Sequence, residues 1–414
     1  MSNAPMDESP EAPEAPEAPL MGLAVLMTKA CSGIPLIDIA NQLIERLKRN
    51  PRDANALMDL AVISHLWFKH DIGLATQARA LQVRRLYQLP AREGAKIRLL
   101  AVMQHGDLAA NTPLEFLVQD SGIALDMLYL DPVRGLPSGL PEHDLIFIAI
   151  GESESSRPLL KLLAHQMADW NRPVLNHPER ISRLSRDSVS SMLQSLPGID
   201  MPVSVQISST ILAQLGTELS ALTAVLADGQ YPVIVRPVDS HAGHGLEKID
   251  GPGELAVYLQ ARPEPAFFLS RFVDYRNADG LYRKYRIVLV DGQAYAGHMA
   301  ISEHWMIHYL NAHMSASQEK RDEEAAFMRD FDTGFGARHR QALQAIDQAA
   351  GLDYLVIDCA EAPDGRLLVF EIDSAAVIHA MDSAQLFPYK QAQARKVFGA
   401  FHALLEKRLA LVTK

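Results

Sequence analysis

The sequence predicts a chain of mixed class, α/β in its first half and α+β in its second, on the strength of three observations. Apolar residues recur at helical spacing between Pro35 and about Leu89. Short apolar strands alternate with helical stretches between Ile97 and Leu175, and after Gln230 strands follow one another through tight turns. With 414 residues, 48% of them hydrophobic and 21% charged, there is material for about two to four domains with cores of their own.

Composition narrows the function classes. The net charge is −11, and Asp7, Glu8, Glu11, Glu14 and Glu17 carry part of it, which leaves about −6 for the remainder. Such a chain is not built to hold a polyanion, so nucleic acid is not expected as a partner. Cys31 and Cys359 are the two cysteines, which excludes a disulfide framework and a cysteine-rich zinc site and fits a reducing cytoplasm. The early apolar stretch from Leu20 to Met27 is too short to span a bilayer and lacks the flanks of a signal peptide, so no membrane partner is expected.

In chain order, the segment from Pro10 to Pro19 repeats Pro-Glu-Ala and has no face to bury, so residues 1–20 are expected to be a disordered tail. Residues 21–92 form a helical segment. Leu36, Ala40, Leu43 and Leu47 share one helical face, Asn50-Pro51 breaks the pattern before a second helix, and a third is expected from about Asp71 to Tyr87. The stretch from Arg46-Leu47 through Pro51-Arg52-Asp53-Ala54-Asn55-Ala56-Leu57 to Leu60-Ala61 resembles part of a tetratricopeptide repeat. A plain helical cap on the next domain is the alternative. Residues 93–180 carry strands at Ile97 to Val102, Ile123 to Leu130, Leu145 to Ile150 and Pro173 to Leu175, the pattern of a small parallel α/β domain. Residues 181–414 form the last and largest unit, with strands at Tyr231 to Val238, Ala266 to Phe272, Tyr285 to Ser302 and Tyr354 to Ile372. Neither a GxxxxGK[ST] loop nor a completed GxGxxG is present, since Gly243-His244-Gly245 runs into Leu246, Glu247 and Lys248.

The most informative stretch runs from Leu352 to Asp373. Two β-type runs flank Asp364-Gly365, and with a two-residue turn there Asp358 stands directly opposite Glu371. Strand alternation puts Asp373 on the same face, with Ile357, Phe370 and Ile372 on the other, so three carboxylates converge. Opposed like charges destabilise a sheet, and a hard divalent cation with oxygen ligands relieves them, which makes Asp358, Glu371 and Asp373 candidate magnesium ligands. A solvated acidic face is the alternative.

This hairpin resembles the C-terminal signature of the ATP-grasp superfamily, which includes D-alanine:D-alanine ligases, glutathione synthetases and ribosomal-protein glutamate ligases. There an Asp is followed thirteen positions later by Glu-x-Asn, and these residues hold the magnesium of ATP. Asp358 and Glu371 match, while Asp373 replaces the Asn. Upstream, Tyr231-Pro232-Val233-Ile234-Val235-Arg236-Pro237-Val238 with Ser240, Gly243 and Gly245 is similar to the family's strand and glycine loop over the phosphates, with Arg236 for the usual Lys. An ordinary salt bridge is the other use for Arg236. The stretch from Asn176 through Ser188 to Val203 looks like the approach to the grasp domain. Ser188 stands where many relatives have a Lys on ATP, and Arg186 is positioned to compensate. Phe267-Phe268-Leu269-Ser270-Arg271-Phe272-Val273 resembles the adenine-bearing linker, which makes Arg271, Phe272 and Val273 cofactor candidates. Arg283, Lys284 and Arg286 enter a hairpin turned at Asp291-Gly292, and Arg286 matches an arginine that relatives aim at the reaction centre.

The resemblance implies an ATP-grasp fold preceded by the small parallel α/β domain and the helical segment, with ATP and Mg2+ as cofactors. It implies a ligase that activates a small-molecule or peptide carboxylate as an acyl phosphate for attack by an amine or thiol. A catalytically degenerate ATP-binding sensor or scaffold, with a partner on the N-terminal helices, is the rival reading. Phosphoryl transfer to a hydroxyl is a third, and a homodimer stays open. His298, His304, His308 and His313 cluster, with His304 and His308 on one face if Glu303 to Asn311 is helical. Without an HExxH pattern, an acceptor pocket that includes Trp305, Tyr309 and Asn311, or plain packing, accounts for them better than zinc. His241 and His244 have a phosphate-facing and an exposed-loop reading in equal measure.

Overall fold

A computed structural model of the chain describes residues 18–90, 94–170, 172–215, 222–240 and 243–412, apart from the side chains of residues 309 and 310. Helices and three sheets alternate, as the mixed pattern predicts. Most of the expected Pro-Glu-Ala tail lies outside the described residues. Leu20, at its expected end, already sits in a core at 2% exposure.

Four helices open the described chain: Gly22–Cys31, Leu36–Arg49, Ala54–Leu66 and His70–Val83. The third expected helix therefore ends before Tyr87, because residues 86–88 pair as an edge strand, Leu86–Gln88, with Ile123–Tyr129. The first helix begins against two carboxylates from elsewhere in the chain. Asp59 accepts from the Met21 and Gly22 amides at 3.0 and 2.9 Å, and Glu115 accepts from the Ala24 amide at 2.9 Å. These satisfy donors that a helix start leaves open.

The first sheet runs in the order Leu86–Gln88, Ile123–Tyr129, Ile97–Met103, Leu145–Ile148, Val174–Leu175, and all but the first strand are parallel. Leu145–Ile148 is buried at every position, as a central parallel strand covered on both faces should be. The second sheet is antiparallel, in the order Ser204–Ser208, Ala266–Arg271, Val233–Pro237, Glu247–Ile249. It has a separate core, to which Val233, Val235, Phe267 and Leu269 contribute.

The third sheet runs Gln293–Ser302, Tyr282–Val290, Tyr354–Glu361, Leu367–Asp373, Ile199–Asp200. The Asp291-Gly292 turn is the two-residue kind expected, with φ of 49° and 78° and Val290 paired to Gln293. A helix that the strand pattern did not suggest, Lys390–Val412, packs between the first and third sheets, with Phe401 edge-on to Phe147 at 5.8 Å and to Tyr354 at 6.0 Å. Asn176 ties the same two sheets. Its side chain accepts from the Asp353 and Tyr354 amides and donates to the Tyr354 carbonyl. Among the described residues no helix is long and apolar enough to cross a membrane.

Candidate functional site

Strand alternation on two sheets builds one cleft. On the second sheet Val233 and Val235 turn into the core while Ile234 and Arg236 line the cleft, and Phe268 and Ser270 line it from the neighbouring strand. On the third sheet Ile287, Ile357 and Ile372 are core, and Arg286, Asp358, Glu371 and Asp373 line the same cleft. Its volume is about 510 Å³.

The hairpin register places Asp358 opposite Glu371, with Val356 opposite Asp373. The route differs from the expected one. The turn is one residue longer than Asp364-Gly365 alone, since Ala362 and Arg366 are bonded across it and Cys359 pairs with Val369. A bulge at Phe370 then restores the register. For the same reason Phe370 is not on the core face as alternation predicts. It lines the cleft, its ring centroid 5.1 Å from that of Tyr275. A second bulge sits across the sheet, where Arg286 pairs with His298 and Ile287 with Ala296, leaving Gly297 as the extra residue. A Cβ on Gly297 would stand 2.9 Å from the Arg286 carbonyl oxygen, so the backbone there approaches too closely for a side chain.

The three carboxylates have unlike partners. Asp358 is held by a two-pronged Arg286 contact, Nε to Oδ1 at 2.8 Å and Nη2 to Oδ2 at 2.9 Å, and by Lys284 Nζ on Oδ2 at 2.7 Å. Burial opposes its charge, but Arg286 and Lys284 outweigh burial and hold its carboxyl well below the usual carboxylate range. Glu371 is also desolvated and is pulled down by Arg186, which it accepts from, and by Arg236. Asp373 is pushed up, first by burial and then by the neighbouring Glu371 charge, although the Ala375 amide donates to it at 2.7 Å. Among the described residues no three acidic, histidine or cysteine side chains stand together as a ready metal cage. Glu371 and Asp373 still fit a hard cation, because two adjacent carboxylates on the cleft wall carry an unrelieved repulsion. Asp358 does not, since its oxygens are already bonded to two side-chain cations.

Arg236 is 9% exposed and makes no ion pair among the described residues. Ser240 serves it instead, its Oγ accepting from Nε at 3.2 Å and its carbonyl from Nη2. Burial, and then the nearby Arg186 charge, push the guanidinium down to about 9. A buried cation with no bonded carboxylate suits a phosphate. Gly243 and Gly245 follow at φ of 75° and 68°, and a Cβ on Gly245 would meet the Pro237 ring at 2.7 Å. His241 lies outside the described residues, and His244 is exposed.

Arg271 lines the cleft, but its guanidinium is committed to Asp228 at 2.7 Å and Asp200 at 2.9 Å. The Phe272 amide is likewise spent on the Pro232 carbonyl, which leaves Val273 and the Phe272 ring as the linker's lining groups. Arg186, outside the expected site set, is brought in by the start of helix Arg186–Leu193 and reaches Glu371 and the Phe370 carbonyl. Ser188 bonds Ser185 instead. Residues 303–311 are not one helix. A short 3-10 turn at Tyr309–Ala312 follows a bent segment, so His304 and His308 do not share a helical face. Trp305 and His308 line the cleft, whereas the Tyr309 side chain lies outside the described residues.

No protein-family model matches the chain, and no curated protein matches it. It is similar to the solved D-alanine–D-alanine ligase from Bacillus anthracis complexed with ATP, at 12% identity and a TM-score of 0.47, over 77% of this chain and 98% of that one. It is also similar to the VanG D-Ala:D-Ser ligase from Enterococcus faecalis, at 12% identity and 0.45, over 75% and 99%. A third is the RimK domain protein ATP-grasp from Sphaerobacter thermophilus, at 15% and 0.42, over 74% and 99%. At these values the likenesses decide nothing about chemistry, which has to be read from the cleft.

Proposed function

We propose that this chain is a magnesium-dependent ATP-grasp ligase that joins a carboxylate to an amine or thiol. The observation that carries the reading is the cleft wall on which Glu371 and Asp373 stand beside Arg186 and the buried Arg236, which makes no direct ion pair among the described residues. Apolar lining from Ile234, Phe268, Val273 and Leu368 suits an aromatic base, and the volume of about 510 Å³ is that of a small-ligand site.

When bound, ATP with its metal supplies the phosphoryl group that activates a carboxylate for attack. Glu371 and Asp373 would hold the metal, and Arg236, braced by Ser240, would hold phosphate oxygens. Arg286 is oriented by its two contacts with Asp358, which fixes its charge where negative charge develops on transfer. Gly243 and Gly245 would let the loop backbone come close to an anion, and Trp305 and Met306 line the same cleft.

A binding-only role draws support from one observation, the saturation of Asp358 by Lys284 and Arg286. The two readings separate in one assay. Millimolar Mg-ATP should raise the melting temperature under either, but ADP release that depends on an added carboxylate and amine supports the ligase alone. No thermal shift at all would sink both.

A further inference from the structure

Asp358 lines the cleft, yet three of its roughly four acceptor positions are filled by the chain's own cations. Arg286 fills two of them from the directly paired strand position. Lys284 fills the third from two residues away on the same strand face, its ammonium 2.7 Å from Oδ2. Both side chains line the cleft, and Lys284, at 21% exposure, is the more open of the two against 9% for Asp358. An ammonium has three donors, and the contact with Asp358 uses one. Glu371, directly across the hairpin, makes its ion pair with Arg186 and is only influenced by Arg236 and Lys284. The two carboxylates that the register brings face to face are thus in different states. Asp358 is bonded by two cations on both oxygens, whereas Glu371 is bonded by one on Oε2.

We propose that Lys284 is a built-in cation that takes a metal ion's place at Asp358, so that nucleotide is loaded with divalent metal at Glu371 and Asp373 alone. Lys284 lines the cleft and supplies there the positive charge that a metal on Asp358 would have brought. Asp358 is then a positioning residue, which orients Lys284 and Arg286 and ligates nothing. This rests on the proposed ATP-grasp function.

The test is a Mn2+ titration of the full chain with a non-hydrolysable ATP analogue, read by the electron paramagnetic resonance of free Mn2+. The wild type should take up one Mn2+ per bound nucleotide. Glu371→Gln should weaken uptake by roughly tenfold or more, whereas Lys284→Met, which keeps the chain length and removes the charge, should open Asp358 and add a second ion. Two ions in the wild type, with the count unchanged in Lys284→Met, would overturn the role of Lys284 while leaving the nucleotide site standing. Failure of the wild type to bind the analogue at all would overturn the proposed function and this inference with it.

Discussion

Asp358 and Glu371 face each other across one hairpin, and each is bonded by a different arginine from a different element, Arg286 from the adjacent strand and Arg186 from a helix start. Direct opposition of two like charges is tolerated because each has its own cation.

The first prediction follows for Glu371→Gln. With Glu371 neutral, Arg186 and Arg236 lose the charge between them, so the ligand-free protein should lose stability slightly, by about 1 kcal/mol or less for a partly exposed pair. Stabilisation by Mg-ATP, about 2.7 kcal/mol at a hundred times the dissociation constant, should shrink sharply. Differential scanning fluorimetry with and without Mg-ATP checks both. An unchanged nucleotide-dependent shift would make Glu371 structural only.

Arg236→Met should behave in the opposite way without ligand. A buried charge with no carboxylate bonded to it costs solvation, so removing it should leave the apo protein equally stable or more so. Nucleotide affinity should fall by roughly tenfold or more, since a hydrogen bond to a charged group is worth about 1.5–3 kcal/mol. Isothermal titration with ATP measures this. A strongly destabilised apo protein with unaltered affinity would assign Arg236 to the fold.

Gly297→Ala tests the bulge beside Arg286. The added methyl meets the Arg286 carbonyl oxygen at 2.9 Å and its side-chain Cγ at 3.0 Å, so the strand and the arginine must both shift to admit it. A loss of about 1–3 kcal/mol is expected from the clash, together with weaker nucleotide binding as the contact with Asp358 is disturbed. Ala294→Gly, two pairs away in the regular part of the same strand, serves as the control and should leave nucleotide binding intact.

Stability should also respond to pH through the start of the first helix. Burial raises Asp59 from 3.8 to about 6 and Glu115 from 4.5 to about 7, against the helix amides that favour their charge. For a carboxyl whose folded pKa is raised, the contribution is full below the unfolded value and is lost as pH rises through the folded one. Thermal stability attributable to this pair should therefore decline from about pH 4 to about pH 7. Glu115→Gln should flatten its share of that slope, seen as a melting-temperature gap between variant and wild type that opens with rising pH. A gap independent of pH would refute the assignment.

Local signals were the legible part. The Asp291-Gly292 turn set its own hairpin, because a tight turn depends on neighbours in sequence. The facing of Asp358 and Glu371 was reached through an assumed two-residue turn, and it holds because the longer turn and the Phe370 bulge offset each other. The closure of Asp358 by Lys284 was out of reach. It depends on the pairing of Tyr282–Val290 with Tyr354–Glu361, a contact between strands some seventy residues apart that nothing in either strand specifies alone. Arg186 was marked as the substitute for the lysine missing at Ser188, but its pairing with Glu371, 185 residues on, was not.

The helix Lys390–Val412 has a consequence for how the chain comes to be folded. Its Val397, Phe401, Leu404 and Leu405 share one core with Leu20, Ala54, Leu57 and Leu99, segments about 300 to 380 residues apart in the chain. The same cluster includes Leu57, Met58, Leu81 and Leu117, so the helix completes a face of the first sheet that earlier helices cover only in part. A core that joins segments so far apart in sequence raises the mean separation of the native contacts, which is expected to slow folding relative to a fold closed by local contacts.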